Sequence, residues 1–156
     1  IMKKATFAAG CFWGVETTFR QTKGVKETAV GYIGGTLENP SYEMVCSGTS
    51  GHTEAVEVDF DPAEVSYEAL LAVFWDCHDP TTLNRQGPDV GTQYRSGVFV
   101  HDGEQEAAAR ASKQENQSKF GNGIVSEITP ASTFYRAEEY HQQYFEKNKS
   151  QFGRLF

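Results

Sequence analysis

Gly10-Cys11-Phe12-Trp13-Gly14 sets a sulfur nucleophile between a turn residue and two large aromatics. Upstream, Lys3 to Ala9 reads as a strand; downstream, Val15 and Phe19 mark the first turns of an amphipathic helix. Cys11 therefore falls at or near a helix N-terminus. Unpaired N–H groups and the helix dipole there favour the thiolate, the reactive form of cysteine. Gly10 and Gly14 leave room for a sharp turn and a close ligand. Phe12 and Trp13 either anchor the helix or line a pocket for a small apolar group. The plainer reading is a buried structural thiol, since free cysteine is among the most buried residue types. On these five residues alone the two readings stand level.

A proton donor is the natural companion of such a thiol. Thr53 to Phe60 alternates, so Glu54 shares a strand face with Val56, Val58 and Phe60. Burial on that face would raise its pKa and keep a carboxylic acid neutral near pH 7, able to donate. If the strand instead begins after Glu54, the carboxylate is solvated and inert. Tyr42 and Tyr94 stand where loops meet regular elements, and their hydroxyls could meet a polar ligand oxygen; half-buried packing is the ordinary alternative. Asp89, in Gly87-Pro88-Asp89-Val90-Gly91, is a turn former on its own showing. Cys46 precedes the small, polar Ser47–Gly51 and could resolve an oxidised Cys11 if the two approach; equally, it could be a buried bystander. Cys77 lies on an apolar helix stripe and reads as core. The Cys46/His52 and Cys77/His78 spacings do not suit a structural zinc site, so no metal is expected. His101 and His141 have no acidic or cysteine partner in a recognised motif. A Cys–His hydrolase dyad stays open, because its partners meet only on folding.

These residues need a frame. Strands are expected over Lys3 to Ala9, Lys26 to Ile33, Thr53 to Phe60, Tyr94 to His101 and Ile124 to Ile128. Helices are expected over Phe12 to Gln21, from Ser66 through Cys77, over Glu104 to Phe120 and over Ala137 to Asn148, with one helical turn at Tyr42 to Val45. Asp79 to Gln93, with two prolines and two glycines, reads as a long functional loop. The β-α-β-β-α-β order through residue 101 predicts an α+β, ferredoxin-like (split β-α-β) two-layer sandwich with additional C-terminal helices and a strand. The 156 residues suit one catalytic domain over 2–156, with Ile1 set aside because it precedes Met2. A formal charge of -7 argues against nucleic acid or an anionic membrane as partner. The longest apolar run, Ala69 to Trp75, is too short to span a bilayer, and no signal-peptide pattern opens the sequence. Three cysteines, an odd number, argue against a disulfide framework. The expectation is a cytoplasmic monomer with reduced thiols.

The Gly10–Gly14 motif resembles the signature of the type A peptide methionine sulfoxide reductases. The resemblance extends through Gly31-Tyr32 with Gly34-Gly35, Asn39–Tyr42, Gly51–Val56, Asp79–Gly87, Asp89–Ser96 and Ala137–Gln142. It implies a thiol-dependent reduction of methionine S-sulfoxide, free and in proteins, without a cofactor. In that chemistry Cys11 would attack sulfur and become a sulfenic acid. Glu54 would protonate the sulfoxide oxygen, and Tyr42 and Tyr94 would hydrogen-bond it. Phe12 and Trp13 would hold the methyl group, and Asp89 would hold the substrate or order the site. Thioredoxin, glutaredoxin or glutathione would return the electrons. Many members recycle through a cysteine in a Gly-rich C-terminal tail. Residues 148–156 contain none, which leaves Cys46 as resolver or a cycle with one cysteine. Two rivals remain: another cysteine-dependent enzyme, peroxide-reducing or hydrolytic, and a module that binds oxidised methionine or an apolar peptide without chemistry.

Overall fold

Alternation along four strands decides where the core lies. Ala5, Phe7 and Ala9 point to the same side as Val30, Tyr32, Val56, Val58, Phe60, Val98 and Val100, and all of them are buried there. The opposite side holds a smaller cluster of Ala8, Ile33, Ala55 and Phe99, against which Ala131 and Phe134 pack. The computed structural model describes residues 2–148. Its long strands are β1 (Lys3–Ala9), β2 (Val25–Ile33), β3 (Thr53–Phe60) and β6 (Ser96–Val100). They run in the order β6-β1-β3-β2, each pair antiparallel. Helix α1 (Phe12–Arg20) connects β1 to β2, and α3 (Tyr67–Asp76) lies between β3 and β6. This α+β arrangement is consistent with the split β-α-β order expected from the sequence.

The helices bring large apolar side chains to the main face. Phe19 of α1 and Phe74 of α3 pack on Phe7, with ring centroids 4.9 Å and 5.4 Å apart. Ser66 caps α3 by accepting from the Ala69 N–H. Helix α4 (Gly103–Gln117), capped by Asp102, is tied to α3 through Trp75 Nε1–H donating to Ser112 Oγ at 2.8 Å. Among the described residues, no helix is long and apolar enough to cross a membrane.

The expected elements need correction where side chains override pattern. The strand expected from Tyr94 starts at Ser96, because Thr92–Tyr94 closes a 3-10 turn with the Tyr94 N–H on the Gly91 carbonyl. The loop from Asp79 carries a small hairpin, β4 (Arg85–Gln86) and β5 (Asp89–Val90). The strand expected at 124–128 is β7 (Glu127–Pro130), which pairs parallel with β6. The expected last helix does not form as one piece. A short β8 (Tyr135–Arg136) pairs with β2, a 3-10 turn spans Glu139–His141, and only Tyr144–Lys147 is helical (α5). Gln143, at φ 50, breaks it. There Glu16 Oε1 accepts from the Gln143 N–H at 2.7 Å, a bond that helix continuation would forbid. The short helix α2 (Tyr42–Cys46) is where one turn was expected. The cysteine-free tail noted in the sequence lies, from residue 149 onward, outside the described residues.

Candidate active site

Strand direction assembles the site. β1 and β2 end, and β3 and β6 begin, at one edge of the sheet: Ala9 pairs with Ser96, and Ile33 with Thr53. Cys11 follows the end of β1, Glu54 is the second residue of β3, and Tyr94 precedes β6. Tyr42 opens α2 beyond the end of β2, and Asp89 comes in on the β4–β5 hairpin. All these residues therefore arrive at the same rim.

Cys11 is the N-cap of α1 and half-buried. The helix start stabilises its thiolate less than the sequence suggests. Burial and then the nearby Glu54 carboxylate push the thiol up to about 12, and backbone N–H groups of Trp13 and Gly14 offset only part of this. Gly10 makes the turn at φ +101, a left-handed conformation suited to glycine.

Glu54 lies within the strand and is 1 % exposed, so the solvated alternative does not hold. Its Oε1 accepts from the Phe12 N–H at 3.1 Å, while Oε2 is buried with no partner. Desolvation is the main reason its pKa rises to about 8; the Phe12 N–H opposes this and Asp89 adds to it. The carboxyl is thus mostly protonated at neutral pH, with one oxygen uncommitted. Burial raises both site tyrosines above the ordinary phenol range. Tyr42 is raised further by its hydrogen bond with Cys46, and Tyr94 by Glu54, Cys46, Asp89 and Cys11. Both stay protonated donors. Cys46 is exposed, and its thiol is raised by burial and lowered by the Tyr42 bond.

Phe12 is buried, with its ring 5.8 Å from Tyr32, and anchors α1. Trp13 is half-buried and stacks on Tyr144 at 3.9 Å and 9°. Cys77 belongs elsewhere: its thiol is held by the Phe74 carbonyl and lies 4.0 Å from His78 Nδ1, which itself meets the Phe74 carbonyl at 2.7 Å. Burial lowers His78 to about 4, a poor base. No histidine among the described residues hydrogen-bonds Cys11, so the hydrolase dyad is not assembled there. No group of three or more His, Cys, Asp or Glu among the described residues could hold a metal ion.

The model of the family described as peptide methionine sulfoxide reductase matches residues 3–155. The chain belongs to that family. A peptide methionine sulfoxide reductase MsrA of Methanoculleus marisnigri is 65% identical over 148 residues, covering 94% of this chain and 90% of the relative. The reduced form of Mxr1 from Saccharomyces cerevisiae superposes with a TM-score of 0.91 at 41% identity, covering 94% of this chain and 86% of that one. Yeast Mxr1 in complex with Trx2 matches with a TM-score of 0.68 at 30% identity, covering 92% and 84%. This reductase is accordingly an oxidoreductase of the thiol-dependent, methionine sulfoxide-reducing kind.

The reductase's site contains partners that sequence reasoning passed over. Glu138 accepts from Tyr32 Oη–H at 2.9 Å and from the Tyr42 N–H at 3.0 Å, so it fixes the start of α2. Burial pushes the Glu138 carboxyl up, but the hydrogen bonds from Tyr42, its own backbone and Tyr32 outweigh this and hold it low. His141 accepts from the Trp13 indole. Both lie in the Ala137–Gln142 block that carries the family resemblance, but no spacing rule connects them to Cys11.

Proposed function

We propose that Cys11, Glu54, Tyr42 and Tyr94 carry out the reduction, and that the substrate is methionine S-sulfoxide, free or in oxidised proteins. The observation that carries this reading is the uncommitted Glu54 Oε2 on a carboxyl protonated at neutral pH, beside the only cysteine at a helix N-cap among the described residues. A sulfoxide sulfur is a poor electrophile until its oxygen takes a proton. Glu54 gives that proton while the Tyr42 and Tyr94 hydroxyls donate hydrogen bonds to the same oxygen. The S–O bond gains hydroxysulfonium character, and the developing positive charge offsets the forces that keep Cys11 protonated. The Cys11 proton returns to Glu54 as sulfur attacks sulfur. The S–S bond so formed breaks as the hydroxyl group moves from the substrate sulfur to Cys11 Sγ: the substrate S–O bond is lost, methionine leaves with the electron pair, and Cys11 is oxidised to the sulfenic acid, so thiol plus sulfoxide gives sulfenic acid plus thioether. Phe12 and Trp13 hold the methyl group, and Asp89 orders the rim or holds substrate.

Regeneration needs a second thiol, with loss of water, to give a disulfide. Cys46, exposed and in Tyr42's reach, is the proposed resolver. The external reductant is then thioredoxin, as the yeast relative's capture with Trx2 supports; glutaredoxin and glutathione are the other thiols of suitable chemistry. The cycle itself takes no metal, flavin or nucleotide. A monomeric, single catalytic domain in the reducing cytoplasm fits a cycle that starts from free thiols.

A thiol count in denaturant tests this. Reduced protein is mixed with excess methionine sulfoxide and no reductant. Wild type is expected to lose two of its three cysteine thiols, Cys46→Ser to lose one, and Cys11→Ser to lose none and release no methionine. A single loss in wild type would give a cycle with one cysteine. No loss, with saturable binding kept in Cys11→Ser, would mean a binding module.

A further inference from the structure

A sulfoxide side chain that belongs to a protein brings its main chain with it, and that chain must cross the rim of the site. The rim segment richest in exposed apolar surface is the loop from Asp79 to Gly91. Leu83 and Val90 stand on it 69 % and 72 % exposed, the highest values among the exposed large apolar side chains of the described residues. One such side chain alone would need no explanation. Leu83, however, borders a groove of about 200 Å³ together with the exposed Val125. Most polar groups lining that groove are already bonded. Arg95 Nε donates to Glu127 at 2.9 Å and Nη1 to the Thr92 carbonyl at 3.0 Å, while the Thr82 hydroxyl donates to the Arg85 carbonyl at 2.7 Å. What is left to meet a ligand is two aliphatic side chains and the Asn84 carboxamide. A carboxamide donates and accepts, as does the main chain of a peptide.

The walls are fixed in advance. The Val125 N–H donates to the Pro80 carbonyl at 2.9 Å, and the Gln86 carboxamide bonds the Asp79 N–H and carbonyl. A ligand would therefore not have to order the loop. The groove is also continuous with the site. Arg95 follows Tyr94. Along the hairpin Gln86 pairs with Asp89 and Arg85 with Val90, and the Asn84 carbonyl accepts from the Gly91 N–H at 2.8 Å. Leu83 is thus three positions from the rung of Asp89, about 10 Å at roughly 3.3 Å per residue. Asp89 itself is close enough for its charge to be felt at Cys11 and Glu54. We infer that the groove between Leu83 and Val125 receives an aliphatic side chain of the oxidised polypeptide, about two to four positions from the sulfoxide. This rests on the proposal that oxidised proteins are substrates. The contact is the same before and during attack on sulfur, so it acts on binding and not on the chemical step.

Nonapeptides with a central methionine S-sulfoxide test this, carrying either leucines or serines two to four positions to each side. Reduced enzyme is mixed with excess peptide and no thioredoxin, and the rate of the single round of reduction is followed against peptide concentration. Wild type should half-saturate at a concentration about fivefold lower with the leucine peptide. In the double variant Leu83→Ser with Val125→Ser that preference should vanish, with the maximal rate kept within about twofold and free methionine sulfoxide reduced as before. Leu83→Ile should retain the preference. Equal half-saturation by both peptides in wild type, or a preference that survives in the double variant, would overturn the inference. A loss shared with free methionine sulfoxide would place the effect in the fold, and a loss seen only with thioredoxin present would make the groove a reductant contact; either overturns it as well. Wild type that reduces free methionine sulfoxide but neither peptide would remove the protein-substrate reading, and wild type that reduces none of the three would remove the site reading itself.

Discussion

Glu54 has two oxygens with different fates. One is fixed by the Phe12 N–H, so the carboxyl cannot rotate away; the other faces the site with nothing to bond. That division suits a donor, since a fully bonded carboxyl would have no proton to give. It also sets a pH limit. In the proposed mechanism the neutral form is the competent one, and its pKa of about 8 means the reduction rate at fixed substrate should fall as pH rises through that value. Glu54→Gln should be slower by about 10²–10⁴ at neutral pH and should lose that alkaline limb, measured as single-turnover methionine release. A Gln variant that kept both rate and limb would assign the acid role to another group. The same carboxyl affects stability. Its folded pKa lies above its unfolded one, so the folded state holds the extra proton between about 4.5 and 8 and stability falls with rising pH across that window. Glu54→Gln should flatten this slope in urea titrations at pH 5 and pH 8.

At the scale of elements, the turn from β1 into α1 is held from the side. Gly10 sits at φ +101, and a Cβ there would lie 2.8 Å from Gln86 Cγ. Gln86 has little freedom to yield, because its carboxamide bonds the Asp79 N–H and carbonyl at 2.9 Å and 2.8 Å. Gly10→Ala should therefore cost about 1–3 kcal/mol in denaturant unfolding and lower kcat/KM by displacing Cys11; unchanged values for both would refute this account of the turn. Period and punctuation made the first half of this architecture readable. Alternation in Thr53–Phe60 put Glu54 on the buried face, and the glycines around Cys11 marked the turn. The C-terminal region was not readable by the same means. Tyr140, an aromatic within the helix expected there, is 58 % exposed, whereas the polar His141 and Gln142 are buried. Their burial is set by bonds to Trp13 and Val30 across more than a hundred residues, which no local period records. The Cys11 environment was half readable: the helix N-terminus was placed correctly, but the desolvation that outweighs it depends on packing.

Across the whole molecule, buried polar groups hold residues 135–148 against α1 and β2. Glu16 accepts from Thr28 Oγ1, the Gln143 N–H and Gln143 Nε2; Gln142 bonds both main-chain groups of Val30 and the Ala137 carbonyl. Gln142→Leu keeps the bulk but strands those groups. It should lower unfolding free energy by about 3 kcal/mol and speed limited proteolysis within 137–148; resistance equal to wild type would mean the segment is held by its ring contacts instead. The order of these parts along the chain has a consequence for synthesis. Cys11, Tyr42, Glu54, Asp89 and Tyr94 all precede residue 95, while the residues that fix Trp13 come after 140. A nascent chain that has emerged only through β6 carries the sulfur, the acid and both phenols but no wall behind the indole. Those contacts to the indole cannot form until His141 and Tyr144 have also emerged, so on the role proposed for Trp13 the grip on oxidised methionine arises only after the reacting groups are already present.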